Sequence, residues 1–195
     1  AREKALSRKV MLSLLMAGTM SVCISGGDVW ASDIVTLTQD TTYNTPSELD
    51  KQHISMNGYN IVSNIILNAD NAGMSITGTG KESLTINCEG LQFAVAAQSN
   101  NNAKVLISNV KDVNIKGNVT SDSLVHSNID GGIIFDKVGF FNIETEKNIG
   151  LHAQGGLISI DANEVSINSK NENAIWAQLS NCVGDYPSDV KIKSS

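Results

Sequence analysis

Large aromatic side chains are scarce in this chain, at 5% of its 195 residues. Without such anchors a wide, deep core is hard to fill, and a thin core of small and β-branched residues fits the composition better. Cysteine is as sparse: Cys23, Cys88 and Cys182 are the whole set. A disulfide framework is thereby excluded as the source of the fold. Cys88 and Cys182 are read as unpaired, because a stack advancing about 4.8 Å per layer would hold them several layers apart. No window carries the i, i+3, i+4 apolar period of a helix longer than a turn or two. Clustered basic residues are also missing after residue 31. Four of the 14 basic and two of the 20 acidic residues lie before that point, which leaves a net charge of −8 on the remainder. Such a surface repels nucleic acid and anionic headgroups, so no nucleic-acid partner is expected. Nucleophile motifs, phosphate-cradling glycine loops and cysteine pairs at metal spacing are absent as well, and no cofactor is assigned.

What is present begins with an export pattern over residues 1–31. Arg2, Lys4, Arg8 and Lys9 lead into a mostly apolar run from Val10 to Ile24, and Val29-Trp30-Ala31 offers small residues where a signal peptidase reads. This predicts a secretory signal peptide cut after Ala31. The run falls short of the roughly 18 apolar residues that a membrane span needs. Cys23 suggests a lipoprotein alternative, which Val22 at the preceding position disfavours.

Past the signal the sequence repeats itself. Val105-Leu106-Ile107 precedes Val113-Asn114-Ile115 by eight residues, and the same offset links Ile133-Ile134-Phe135 to Phe141-Asn142-Ile143 and Leu157-Ile158-Ser159 to Val165-Ser166-Ile167. A third strand follows each pair. The successive third strands are Ala94 to Gln98, Leu124 to Asn128, Gly150 to Gln154 and Ala174 to Gln178, at a period that drifts from 30 to 26 to 24 residues. Units of this length, with short alternating strands broken by Asn, Gly and Ser, predict an all-β solenoid with three short strands per coil and about 24–30 residues per coil. Residues 61–195 are assigned to these coils. Residues 32–60, with the alternating Ile34 to Thr38 and a polar stretch broken by Pro46, are assigned to an N-terminal cap that covers the first coil.

Alternation within the third strands predicts faces. Val95, Val125, Leu151 and Ile175 point inward, as do Ala97, Ser127, Ala153 and Ala177. Ala96, His126, His152 and Trp176 form an outward column, and His126, His152 and Trp176 are the candidate contact surface. Gln98, Asn128, Gln154 and Gln178 form a candidate amide column, in which stacked amides hydrogen-bond from coil to coil. His126 and His152 would lie about 5 Å apart on adjacent coils, but Ala96 and Trp176 flank them and supply no third ligand, so no metal site is assigned. His53 falls outside the repeat.

The unit Gly-Leu-His-Ala-Gln, Gly-Gly-Leu-Ile-Ser-Ile and Glu-Val-Ser-Ile-Asn-Ser over residues 150–169, behind a signal that ends at Trp30-Ala31, resembles autotransporter passengers of Gram-negative bacteria. The resemblance covers the signal and most of residues 61–195. It implies a right-handed parallel β-helix displayed at the cell surface by a C-terminal outer-membrane barrel. No barrel-like segment follows here, because Val190-Lys191-Ile192 opens another coil just before Ser195, and the sequence reads as a fragment of a longer chain.

The functional expectation is an exported, non-enzymatic adhesion or cell-association scaffold whose partners are glycans or host or bacterial surface proteins. A secreted carbohydrate-active enzyme on the same fold is the rival. Its acidic candidates are Asp112, Asp136, Asp161 and Glu164, of which Asp112 and Glu164 share a column with Phe140 between them; catalytic carboxylates would have to converge within several ångströms. A structural stalk is the third reading.

Overall fold

The computed structural model describes residues 34–45, 53–69, 73–97, 104–178 and 189–194. The expected signal peptide and its cleavage site after Ala31, together with Cys23, Gln98 and Cys182, lie outside these residues. All described residues belong to one compact unit.

Sixteen strands and no helix occur among them. Three columns of parallel strands organise the unit. The first face runs β1 (Ile34–Thr36), β3 (His53–Ser55), β6 (Met74–Thr77), β9 (Lys104–Ser108), the first half of β12 (Gly132–Thr145), the first half of β14 (Leu157–Ser169) and β16 (Asp189–Ser194). The second runs β2 (Thr41–Tyr43), β4 (Ile61–Ser63), β7 (Ser83–Asn87), β10 (Asp112–Lys116) and the second halves of β12 and β14. The third is a separate sheet of β5 (Leu67–Asn68), β8 (Val95–Ala97), β11 (Ser123–Asn128), β13 (Ile149–Gln154) and β15 (Ile175–Gln178). Every pairing between these strands is parallel, so the chain is an all-β solenoid.

The alternation of the sequence becomes columns of like residues. Ile54, Ile76, Ile107, Phe135 and Ile160 stand in register on the first face, and all are buried. Ile61, Leu84, Val113 and Phe141 do the same on the second. Phe135 and Phe141 meet edge to face with centroids 4.6 Å apart, filling one layer of the core with two rings where other layers use aliphatic side chains. Burying one such side chain contributes on the order of 2 kcal/mol, so stability is spread along the columns.

Three details refine the sequence reading. The eight-residue offset predicts two short strands separated by a turn, yet in β12 and β14 the pair fuses into a single strand that bends around the corner. A register shift between Phe135 and Val138, with Lys137 at φ 54°, makes the bend in β12. The segment 32–60 contributes β1, β2 and β3, which join the same two columns as later strands; Ile34 pairs with His53, a shorter step than any found further on. At the far end, burial fades. Ile175, predicted inward, is 43% exposed, and Ile192 is 41% exposed.

Between the second and third faces the chain turns tightly at Gly117. Its φ of +123° and the 2.8 Å that would separate a Cβ there from the Glu89 nitrogen admit glycine alone.

Candidate functional site

The third sheet places the predicted column in register: Ala96 pairs with His126, His126 with His152 and His152 with Trp176. Phe93, just ahead of β8, adds a fourth ring. Phe93 stacks on His126 at 4.9 Å, His126 meets His152 edge-on at 5.0 Å, and His152 stacks on Trp176 at 5.2 Å and 17°. The predicted contact surface is changed by this packing. His126 and His152 are 7% and 3% exposed, and of the three residues only Trp176, at 43%, reaches solvent. Strand alternation places a side chain on a face but does not say that neighbouring rings will cover it.

A carboxylate faces the two imidazoles. Asp122, in the turn before β11, brings Oδ2 to 3.0 Å from His152 Nδ1 and Oδ1 to 4.0 Å from His126 Nδ1. The Ser123 hydroxyl donates to Asp122 Oδ1 at 2.9 Å and lies 3.2 Å from His126 Nδ1. Asp122 is half exposed while the imidazoles are buried. Both ring nitrogens of His152 are enclosed, and neither has a well-directed hydrogen bond; the carboxylate is near Nδ1 but out of line for an N–H to donate to it. Burial lowers the pKa of His126, His152 beside it lowers it further, and Asp122 opposes both. Burial therefore favours the neutral imidazole at His126.

Within the strand column Ala96 and Trp176 flank the histidines, so alternation alone offers no third ligand. Asp122 comes from outside that column. The available signal was its position four residues ahead of His126, close enough for a turn to bring it alongside.

The predicted amide column is in register over Asn128, Gln154 and Gln178, and the Asn128 Oδ1 accepts from the Ile129 N–H of its own turn. Hydrogen-bonded amides also link strand ends on the second face. Asn87 Nδ2 donates to Asn64 Oδ1 at 2.9 Å, and Asn64 Nδ2 donates to Asn44 Oδ1 at 2.8 Å, at the ends of β7, β4 and β2. No sequence argument singled these asparagines out.

Two of the acidic candidates, Asp112 and Asp161, have individual side-chain partners. Asp112, Phe140 and Glu164 share a column as expected. Asp112 accepts from the Ser83 hydroxyl at 3.0 Å and lies 3.5 Å from Lys111 Nζ, and Asp161 pairs with Lys193 at 2.9 Å. His53, unassigned from sequence, is buried against the Ser75 hydroxyl at 2.7 Å, and burial lowers its pKa. Cys88 is free, and burial, reinforced by Glu89, pushes its thiol up to about 12 against a weaker backbone hydrogen bond, which leaves it unreactive. A groove of about 210 Å³ lies beside Lys116, Asn118, Glu144 and Lys170. Its wall charges are partly spent, since Lys170 holds Glu146 at 2.6 Å.

One more buried acid was missed. Glu82, 1% exposed, accepts from the Gly58, Thr79 and Lys81 backbone N–H groups and from the Thr79 hydroxyl at 2.6–3.0 Å. Burial alone would raise its pKa; these hydrogen bonds outweigh burial and hold it at about 2. It ties the turn at Gly58 to its own turn in the next coil.

Comparison with known proteins returns no matching family model, no similar curated protein and no similar solved structure.

Proposed function

We propose that this chain is an exported β-solenoid passenger that serves as a non-enzymatic scaffold for adhesion or cell association at a Gram-negative cell surface. The observation that carries this reading is the uninterrupted first face, whose parallel strands run from β1 to β16. Repeated layers of this kind make extended surfaces rather than a single cleft, and extended surfaces suit multivalent contact with glycans or surface proteins. The three-part export pattern of residues 1–31 supports the location. The engagement of Asp112 and Asp161 by neighbouring side chains supports a non-enzymatic role, because a glycan-cleaving pair needs two carboxyl groups free to face one bond.

The test expresses the chain untagged in a Gram-negative host. The expected result is an exported product whose mass begins at Ser32 and which binds whole cells or an immobilised glycan panel. Retention in the cytoplasm with residues 1–31 intact overturns the export reading. Robust turnover of polygalacturonate with Ca²⁺, lost in Asp161→Ala, replaces the scaffold with a carbohydrate-active enzyme. An exported product that binds no cell and no glycan replaces it with a stalk.

A further inference from the structure

We infer that Asp122, His126 and His152 form a binding site for one divalent transition-metal ion, with Zn²⁺ the best match to the donors. Each residue offers a ligand atom, and the three atoms lie within 4.8 Å of one another. Two imidazoles and a carboxylate are a borderline donor set that suits zinc, whereas calcium and magnesium prefer all-oxygen shells. Ligand atoms about 2.0–2.1 Å from a tetrahedral zinc stand about 3.3 Å apart. The 3.0 Å between Asp122 and His152 is already in that range. The other carboxylate oxygen, Oδ1, lies 4.0 Å from His126 Nδ1, so the one carboxylate faces both imidazoles.

The second observation is independent of this clustering. A buried imidazole ordinarily satisfies its ring nitrogens, and leaving them unsatisfied is costly. His152 is 3% exposed, and both its nitrogens lack a directed hydrogen bond. Its Nδ1 lies 3.0 Å from a carboxylate oxygen without the geometry of a hydrogen-bond donor to that acceptor. A cation bound by both satisfies the nitrogen and balances the carboxylate. Stacking on Phe93 and Trp176 fixes both rings, and the Ser123 hydroxyl fixes the carboxylate, as supporting groups do around metal ligands.

The chain contributes three ligands, so a tetrahedral ion there would take its fourth ligand from water or from a bound group. Because His126 and His152 come from adjacent coils, the ion also clips β11 to β13. This inference does not depend on where the protein is displayed or on what it adheres to.

The experiment titrates the untagged full chain, stripped with EDTA, with CoCl₂, following visible absorption and calorimetric heat, and then displaces the ion with ZnCl₂. One Co²⁺ per chain is expected, with d–d bands and no thiolate charge-transfer band. Asp122→Asn and His152→Gln should each weaken binding at least tenfold, while Trp176→Phe should leave it within about twofold, since ring stacking positions but does not ligate. Far-UV circular dichroism confirms that each variant is folded, and Asp122→Asn, at an exposed side chain, keeps the test valid if a histidine variant fails to fold. Absence of saturable Co²⁺ binding by the folded wild type overturns the inference. So does undiminished binding in folded Asp122→Asn and His152→Gln, or a thiolate spectrum placing the ion on a cysteine.

Discussion

Glu82 and His152 are two titratable side chains buried to nearly the same degree, and the protein treats them in opposite ways. Glu82 sits in a turn between the first two faces, where three backbone N–H groups and a hydroxyl converge on its carboxylate. His152 sits mid-strand on the third sheet, between His126 and Trp176, with both ring nitrogens lacking a directed bond. A buried polar group that is fully hydrogen-bonded holds structure together, and one that is left wanting weakens it until something binds. The first is therefore a joint between coils, and the second is a site.

The largest break in this contrast is Glu82→Ala, which strips the common acceptor from four donors and should cost about 4 kcal/mol in urea unfolding. Acid should reach the same joint. The folded carboxyl titrates at about 2 against an ordinary 4.5, so the unfolded chain takes up the proton first and stability falls with pH. The resulting advantage over Glu82→Gln, about 3 kcal/mol, should be complete above 4.5, shrink through that window and vanish near 2. Paired urea titrations at pH 7 and pH 3 measure it.

Gly78→Ala should lower stability by about 1–3 kcal/mol. Its Cβ would lie 2.6 Å from the Asn109 carbonyl oxygen and 2.8 Å from Glu82 Oε2, forcing the carboxylate off its donors. His152→Phe should act with the opposite sign. It keeps a flat ring beside Trp176 and removes two unsatisfied nitrogens, so in EDTA the midpoint should hold or rise by up to about 1 kcal/mol. A destabilisation of Glu82→Ala size would instead make His152 a structural joint. The exposed pair Lys170–Glu146 is the floor of the scale, and Lys170→Ala should leave the unfolding midpoint unchanged within error.

The register of the third sheet was legible in the sequence because period-two alternation and a drifting but countable spacing carry it: Val95, Val125, Leu151 and Ile175 pair as aligned. Asp112, Phe140 and Glu164 share their column for the same reason. The first coils were harder to read. Their steps are shorter than the later ones, so β1 to β3 looked like something outside the repeat. The site was half legible. His126 and His152 stood out as a column, but Phe93, which stacks on His126 from a loop, and their acidic neighbour, in a turn, occupy places where alternation says nothing. Glu82 gave no sign, since its partner Gly58 lies 24 residues away in a different coil.

The contacts between coils depend on their parallel, in-register stacking, and that claim has a direct measurement. In a chain with Cys23, Cys88 and Cys182 replaced by serine, Asn114→Cys and Asn142→Cys occupy paired positions on β10 and β12. In-register partners on neighbouring strands lie about 4.8 Å apart, within disulfide reach, whereas a partner two residues further along lies about 8 Å away, beyond it. The solenoid predicts rapid oxidation to an intramolecular disulfide for Asn114→Cys with Asn142→Cys, and none for Asn114→Cys with Glu144→Cys. Efficient cross-linking of the second pair and not the first would contradict the stacking on which the joint and the site are built.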